Sequence, residues 1–205
     1  MSYVCNSLSP GRLVRGALWD GDALPQLHWS KLDVVPRPRL LPERLIRGDH
    51  HAMEPASFVP SDFVVPSSLE TPLFRLEPLG PEHNEADYAA WTSSIQHIRS
   101  TPGYPDGNWP DGRSIADNLR DLRRHADDFE HRRGFTYTVL DPATADVIGC
   151  VYIYPLADDP HRAFVQSWVR ASRAELDVPL WRAVSAWLET SWPFENVTYD
   201  DRAPD

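Results

Sequence analysis

Residues 147–169 read VIGCVYIYPLADDPHRAFVQSWV, and the rest of the chain can be organised around them. Residues 147–154 are apolar at positions that face both sides of a strand, which is typical of a central strand. Residues 163–169 form a second apolar and aromatic run after a polar turn. Strands this close in sequence favour an antiparallel hairpin at the centre of a sheet.

Further elements extend this hairpin in both directions. Residues 135–140 are β-branched and aromatic, and they predict a strand before the hairpin. After it, a helix is indicated by the stripe Leu180, Val184, Trp187, Leu188 and Ser191, and Pro193 ends it. A last strand is predicted at residues 196–199. Because a helix separates the last two strands, they should be parallel and joined by a right-handed crossover.

Upstream elements complete the predicted order. Residues 73–79 alternate apolar and polar side chains and predict an edge strand, since Pro78 lies within it. One helical face is formed by Tyr88, Trp91, Ile95 and Ile98, and a second helix begins at Ser114 with the stripe Ile115, Leu119, Leu122, Ala126 and Phe129. The predicted order is β-α-α-β-β-β-α-β. It gives an α/β (α+β) fold whose mixed, mainly antiparallel sheet is flanked by helices.

The composition changes along the chain and suggests three parts. Residues 1–52 are proline-rich, lack a sustained hydrophobic period and predict a poorly ordered extension. Residues 53–72 predict an extended strap, and residues 73–205 the folded domain. Met1 and Met53 are the only methionines, so a natural start at Met53 is one hypothesis for this chain.

Charge and composition exclude several classes of function. The net charge is −10, which argues against a nucleic-acid partner and against an anionic membrane surface. No apolar run is long enough to cross a bilayer, and no secretory signal is visible at the N-terminus. The two cysteines, Cys5 and Cys150, have no metal-binding or disulfide pattern. We therefore expect a cytoplasmic protein, and we assign no metal: His161 after Asp158 and Asp159 is typical of a solvated turn.

Residues 74–199 resemble the GNAT (Gcn5-related) N-acetyltransferase superfamily. The resemblance is carried by FRLEPL at 74–79, DYAAW at 87–91, FTYTV at 135–139, VIGCVYIYP at 147–155 and SWVR at 167–170 before a helix. It covers about the first two-thirds of the family fold. The family's last helix and strands have no counterpart here.

The resemblance implies that the chain binds acetyl-coenzyme A or another acyl-coenzyme A and acylates a small amine. The pantetheine arm would lie along residues 163–169, where this strand separates from the last one. The pyrophosphate would lie on the following loop and helix N-terminus. The residues implied in cofactor binding are Trp168, Val169, Arg170, Ser172 and Arg173.

The loop that would bind the pyrophosphate departs from the family's glycine-rich pattern. On one alignment Asp177 and Pro179 occupy the two small-residue positions, which adds a negative charge and removes an N–H donor. On another, Ser172 is a helix N-cap and Glu175 reaches back to it. Arg170 and Arg173 either compensate by binding phosphates or are solvated loop arginines.

Other positions bear on the acceptor and on assembly. The strand at 163–169 has no carboxylate base, and Gln166 can only orient a water. Residues predicted to bind substrate are Tyr104, Trp109, Tyr154 and Gln166, and Asp106 or Asp111 could pair with an amine. Turn chemistry in the loop and core packing of Tyr154 are the alternatives. The open edge of the last strand is covered either by a second protomer, near Trp181, or by the strap.

Three functional hypotheses remain open at this point: an acyl-coenzyme A-dependent transferase, a catalytically silent ligand-binding or dimerising module, and a related fold redirected to other thioester chemistry. The loop at residues 170–179 distinguishes the first two.

Overall fold

The structure is a computed structural model that describes residues 58–104, 109–110, 112–156 and 159–202, without the side chains of residues 160 and 161. The predicted extension, residues 1–52, lies outside the described residues, as do Asp106, Asp111 and Asp158. No helix in these ranges has the length and apolar character to span a bilayer. The same ranges contain no group of three or more residues suited to hold a metal ion.

A six-stranded sheet forms the centre of the described domain, in the spatial order β1-β2-β3-β4-β5-β6. All neighbouring pairs are antiparallel except β5 and β6, which are parallel. The strands are β1 (Leu69–Glu70), β2 (Arg75–Pro78), β3 (Phe135–Leu140), β4 (Val147–Leu156), β5 (Asp159–Val169) and β6 (Asn196–Tyr199). The predicted mixed sheet and its parallel last pair are therefore confirmed.

Helices cover both faces of the sheet, as expected when neighbouring strand residues point in opposite directions. The helices are α1 (Asn84–Thr92), α2 (Ile95–Ser100), α3 (Ile115–Glu130) and α4 (Asp177–Ser191). Val151 and Val169 pack with Leu180, Val184, Trp187 and Leu188 of α4 in one core cluster. Cys150 and Trp168 belong to a second cluster with Trp91, Ile98 and Leu122 of the first three helices.

The structure corrects several predicted details upstream of the hairpin. The single helix predicted through Tyr88 and Ile98 is two helices, because Ser93 and Ser94 both donate side-chain hydrogen bonds to the Ala90 carbonyl where the chain turns. A short strand, β1, precedes the predicted edge strand and pairs with it. In α3, Ile115 was predicted to be buried, but it is 43% exposed.

The segment before β1 packs along the domain rather than away from it. Phe58 and Val59 are buried in the α4-side core, and the Tyr137 hydroxyl donates a hydrogen bond to the Pro66 carbonyl at 2.6 Å. This segment continues into β1, which pairs with β2 at the opposite side of the sheet from β6. Over residues 58–72 it therefore does not pair with the open edge of β6; covering of that edge by the strap was one of the two predicted arrangements.

Candidate functional site

A fork between β5 and β6 is the feature on which the site is built. The two strands pair from Arg162–Asn196 to Val165–Tyr199 and then separate. β5 continues for four more residues, to Val169, without β6 beside it. A strand edge inside a sheet is thus left without a backbone partner over residues 166–169. Such an edge can accept hydrogen bonds from any group that lies along it.

The side chain of Arg202 fills this fork. Its Nη2 donates to the Ser167 carbonyl at 3.0 Å, and its Nε donates to Asp177 Oδ2 at 3.1 Å. Its Nη1 donates to the Asp200 carbonyl at 2.7 Å, and the guanidinium lies 5.6 Å from the centre of the Tyr199 ring. Only 2% of the Arg202 side chain is exposed. The chain itself therefore satisfies the open carbonyl of β5.

The loop after β5 was predicted to cradle a pyrophosphate, and much of its backbone is already engaged. A 3₁₀ helix, Ala171–Leu176, leads into α4. The backbone N–H groups of Arg170, Ala171 and Arg173 donate to the Ile148 carbonyl, Ser94 Oγ and the Arg170 carbonyl, at 2.7, 2.9 and 2.9 Å. The Asp177 N–H donates to the Ala174 carbonyl. These four N–H groups are therefore engaged within the protein, and Pro179 has none to offer.

The predicted N-cap at Ser172 is wrong, and Arg173 is paired within the protein. Arg170 Nη1 donates to the Val147 carbonyl at 3.5 Å, while its buried Nε has no hydrogen-bond partner among the described residues. Arg170 is the N-cap residue, while Ser172 is exposed at the surface of the 3₁₀ helix. Arg173 donates to Asp141 at 2.7 Å and to Glu175 at 3.1 Å, and its hydrogen bond to Asp141 holds the pKa of that carboxyl below the usual range. Arg173 is therefore an ion-paired residue in this structure, and its binding of a phosphate stays a prediction.

Aromatic side chains from several elements meet beside the fork. Trp109 stacks on Tyr104 with ring centres 5.5 Å apart and lies 6.1 Å from the Trp168 ring. Trp168 and Val169 were predicted to contact the cofactor, but both side chains are fully buried in the core. Their possible contribution to a ligand is limited to backbone groups of β5.

Tyr104 combines burial with a polar atom that has no described partner. The residue is 7% exposed, and its hydroxyl is buried without a hydrogen-bond partner among the described residues. Burial raises the pKa of Tyr104, and the charged groups acting on it include Arg202 and Asp177. The hydroxyl is therefore within electrostatic range of the fork and stays protonated at neutral pH.

Gly103 brings the loop after α2 against the mouth of the fork. Its φ of +91° lies in the left-handed region that favours glycine. Gln166 Nε2 donates to the Gly103 carbonyl. A Cβ atom placed on Gly103 would lie 3.3 Å from Asp200 Oδ2. Val165 and Tyr199 form the last pair of β5 and β6, so Gln166 and Asp200 are the first residues on the two chains beyond that pair.

Tyr154, the fourth residue predicted to bind substrate, belongs to a different cluster. Its hydroxyl contacts His125 Nδ1 at 2.8 Å, and it donates to Asp128 Oδ2 at 3.2 Å beneath α3. The structure therefore brings Tyr104, Trp109 and Gln166 to one place. Tyr154 lies elsewhere, packed against α3 with its hydroxyl hydrogen-bonded, which was the alternative interpretation of this residue.

An open cavity of about 520 Å³ lies at the other end of the β5–β6 pair. It contains none of the predicted site residues. Its lining consists of Phe58, Val59, Pro60, Asp159, Arg162, Pro193, Phe194, Glu195 and Asn196. We place the candidate site at the fork, because the open strand edge lies there and the Tyr104 hydroxyl, which has no partner among the described residues, interacts electrostatically with Arg202 and Asp177.

Sequence reasoning missed Arg202, Asp200 and Tyr199. Two signals were available in the sequence. Arg202 is the only basic residue after Arg182, in an otherwise acidic tail, and Asp200 directly follows the last strand. Neither signal has meaning until the register of β6 against β5 is known, because that register places these residues at the fork.

Comparisons with known proteins support the fold. No protein-family model matches the chain, and no curated protein matches it. A probable acetyltransferase of the GNAT family from Chromobacterium violaceum aligns over 79% of this chain and 75% of its own, with 12% identity and a TM-score of 0.50. An acetyltransferase from Salmonella typhimurium, which modifies the N-terminal serine of ribosomal protein L7/L12, aligns over 63% and 71%, with 8% identity and a TM-score of 0.50.

A third structure, the ribosomal-protein-S5-alanine acetyltransferase from Vibrio fischeri, aligns with 17% identity and a TM-score of 0.47. The match covers 59% of this chain and 66% of that protein, so the chain spans just under two thirds of its length. At these identities the similarity concerns the fold alone, and it is carried by the two structures with a TM-score of 0.50. The chain has the fold of the GNAT acetyltransferases.

Proposed function

We propose that the chain binds an acyl-coenzyme A along β5 and transfers its acyl group to a small amine. The observation that carries this proposal is the fork: β5 runs four residues beyond its last pairing with β6. The two fold relatives with a TM-score of 0.50 are described as acetyltransferases, which adds support. The fold alone does not fix the reaction, so the proposal depends on the chemistry at the fork.

The open edge of β5 suits the arm of coenzyme A. This arm is extended and carries amide groups, which can pair with strand backbone as an added strand does. The Ser167 carbonyl, which accepts from Arg202 in the free protein, is the acceptor for an amide N–H of the arm. The arm would then enter beside Trp168 with its thioester toward Gln166 and the loop at Gly103.

Asp200 supplies the negative charge for the acceptor. It lies at the mouth of the fork beside Gly103, and an ammonium group would be attracted to its carboxylate. In the reaction, the amine nitrogen attacks the thioester carbonyl carbon, a C–N bond forms, and the C–S bond breaks. An acceptor that arrives as an ammonium first releases one proton to water; the second proton, which the nitrogen loses as the C–N bond forms, is taken up by the departing thiolate. Gln166 has no role as a base, and Tyr104 can donate a hydrogen bond to developing charge.

Two measurements test the proposed function. Calorimetry with acetyl-coenzyme A should show binding of one molecule per chain, and thiol release should be measured with a panel of small amines. Replacement of Arg182, which is exposed on α4, is the matched control and should leave both results unchanged. Absence of binding at millimolar ligand, together with absence of thiol release for every amine, would overturn the proposal.

A second candidate function has its own supporting observation. The fork is filled by Arg202, and four of the loop N–H donors are engaged, which is what a catalytically silent GNAT-like module would show. The same calorimetry separates the two candidates. A folded chain that binds no acyl-coenzyme A favours the silent module. Self-association should then be measured by sedimentation, because a second protomer is one of the two predicted ways of covering the β6 edge.

A further inference from the structure

Arg202 makes the contacts of a bound ligand. A guanidinium carries N–H donors in a fixed plane, and three of its nitrogens reach three acceptors here. The acceptors are the Ser167 carbonyl on β5, the Asp177 carboxylate at the start of α4, and the Asp200 carbonyl just after β6. Arg202 thus connects the two walls of the fork, and it does so through a side chain that is almost fully buried.

The Arg202–Asp177 pair also sets the charge at the start of α4. Asp177 is the first residue of the helix, where the helix dipole favours negative charge. One of its oxygens receives Arg202, and the other, Oδ1, is buried without a hydrogen-bond partner among the described residues. Arg202 is buried and Asp177 is partly buried, so separating the pair leaves an uncompensated charge, and the pair opens only if something replaces its contacts.

We propose that Arg202 competes with the thioester arm of an acyl donor for the Ser167 carbonyl. We propose also that the Arg202–Asp177 pair determines which acyl donors bind in the fork. This inference rests on the proposed function. The arm and the Arg202 side chain need the same Ser167 carbonyl, so they cannot occupy it together. Entry of the arm requires Arg202 to leave, and its departure exposes the Asp177 carboxylate to the incoming ligand.

Exposure of Asp177 makes the fork selective by charge. A neutral pantetheine thioester meets the carboxylate without repulsion, whereas a coenzyme A brings its phosphates to the start of α4. Removal of the competitor therefore helps both ligands, and removal of the carboxylate helps coenzyme A in addition. The two ligands together separate the competition from the charge effect.

The test uses the double variant Arg202→Leu with Asp177→Asn, which leaves no unpaired buried charge. Calorimetry compares it with the unchanged chain for S-acetyl-pantetheine and for acetyl-coenzyme A. We expect about tenfold tighter binding of the pantetheine thioester and a larger gain for acetyl-coenzyme A. The control, Arg182→Leu, should change neither affinity. If the double variant binds S-acetyl-pantetheine no more tightly than the unchanged chain, the proposed competition is wrong. If the unchanged chain still binds acetyl-coenzyme A, the proposed function stands even then.

If neither protein binds either ligand at millimolar concentration, the proposed function fails and the competition fails with it. A measurement on the unchanged chain guards against a variant that does not fold. The Nε–H proton of Arg202 should exchange slowly in the free protein, because it is buried and bonded to Asp177. Saturation with acetyl-coenzyme A should abolish this protection. Protection that persists at saturation would show that Arg202 stays in the fork and would overturn the inference.

Discussion

His125 should make the stability of this protein depend on pH in the weakly acidic range. It lies on α3, is 7% exposed, and has Nδ1 within 2.8 Å of the Tyr154 hydroxyl and 3.1 Å of Thr136 Oγ1. Burial, with a smaller contribution from Arg124, lowers the pKa of His125 from 6.5 to about 3. The imidazole is therefore neutral in the folded protein at neutral pH, and the charged form is disfavoured there.

The sign follows from which state binds the proton. Below pH 6.5 the unfolded chain protonates its histidine, whereas the folded chain does not until the pH approaches 3. Stability is therefore lost as the pH falls through this window. Each pH unit corresponds to about 1.4 kcal/mol, so the loss at pH 5 is about 2 kcal/mol. Burial raises the pKa of Asp87, which acts in the opposite direction, so the contribution of His125 must be isolated by subtraction.

The assay is urea unfolding of the unchanged chain and of His125→Gln between about pH 7.5 and about pH 5. On going to the lower pH, the unchanged chain should lose about 2 kcal/mol more unfolding free energy than His125→Gln does. His131→Gln is the control, since this histidine lies just after α3 with about half of its side chain exposed. A difference that stays constant with pH for His125→Gln would refute the assignment of a buried, neutral imidazole.

Three further predictions concern other parts of the fold. Gly149→Ala should prevent β4 and β5 from pairing, because its Cβ would lie 1.9 Å from the Trp168 carbonyl oxygen. Thermal melting should show a loss of about 3 kcal/mol in stability or no folded protein. Gly112→Ala is the control and should melt as the unchanged chain does, since the space around Gly112 is open. Tyr137→Phe should cost about 1 kcal/mol and speed proteolytic cleavage before β1, since it removes the hydrogen bond to the Pro66 carbonyl; an unchanged cleavage rate would contradict this. Asp200→Asn should raise the KM for the amine about tenfold with little change in kcat, as measured by thiol release, and an unchanged KM would exclude Asp200 from the acceptor site.

The sequence predicted best those elements in which the apolar side chains of a run or stripe are all buried. Strand β3 was predicted with its observed bounds, because an unbroken β-branched and aromatic run is buried throughout. The apolar stripe Leu180, Val184, Trp187 and Leu188 on α4 is buried as its spacing indicated. In these segments local pattern and tertiary burial agree, which makes the sequence informative.

The elements that the sequence did not predict depend on polar groups with distant partners. Asn118 is buried on α3 because it accepts a hydrogen bond from Trp91 Nε1 at 3.0 Å and donates one to Asp87 at 3.0 Å. His125 is buried on the same helix, whereas the apolar Ile115 is not. A hydrophobic pattern places such polar residues at the surface, since their partners lie far away in sequence. Arg202 is the same case at the candidate site.

The central claim is that the open edge of β5 receives a thioester arm. A crystal structure of the chain with a non-hydrolysable thioether analogue of acetyl-coenzyme A tests it most directly. We predict an arm lying along residues 166–169, an amide N–H donated to the Ser167 carbonyl, and Arg202 displaced from Asp177. An analogue bound elsewhere, or no analogue bound while Arg202 still donates to Ser167, would contradict the account.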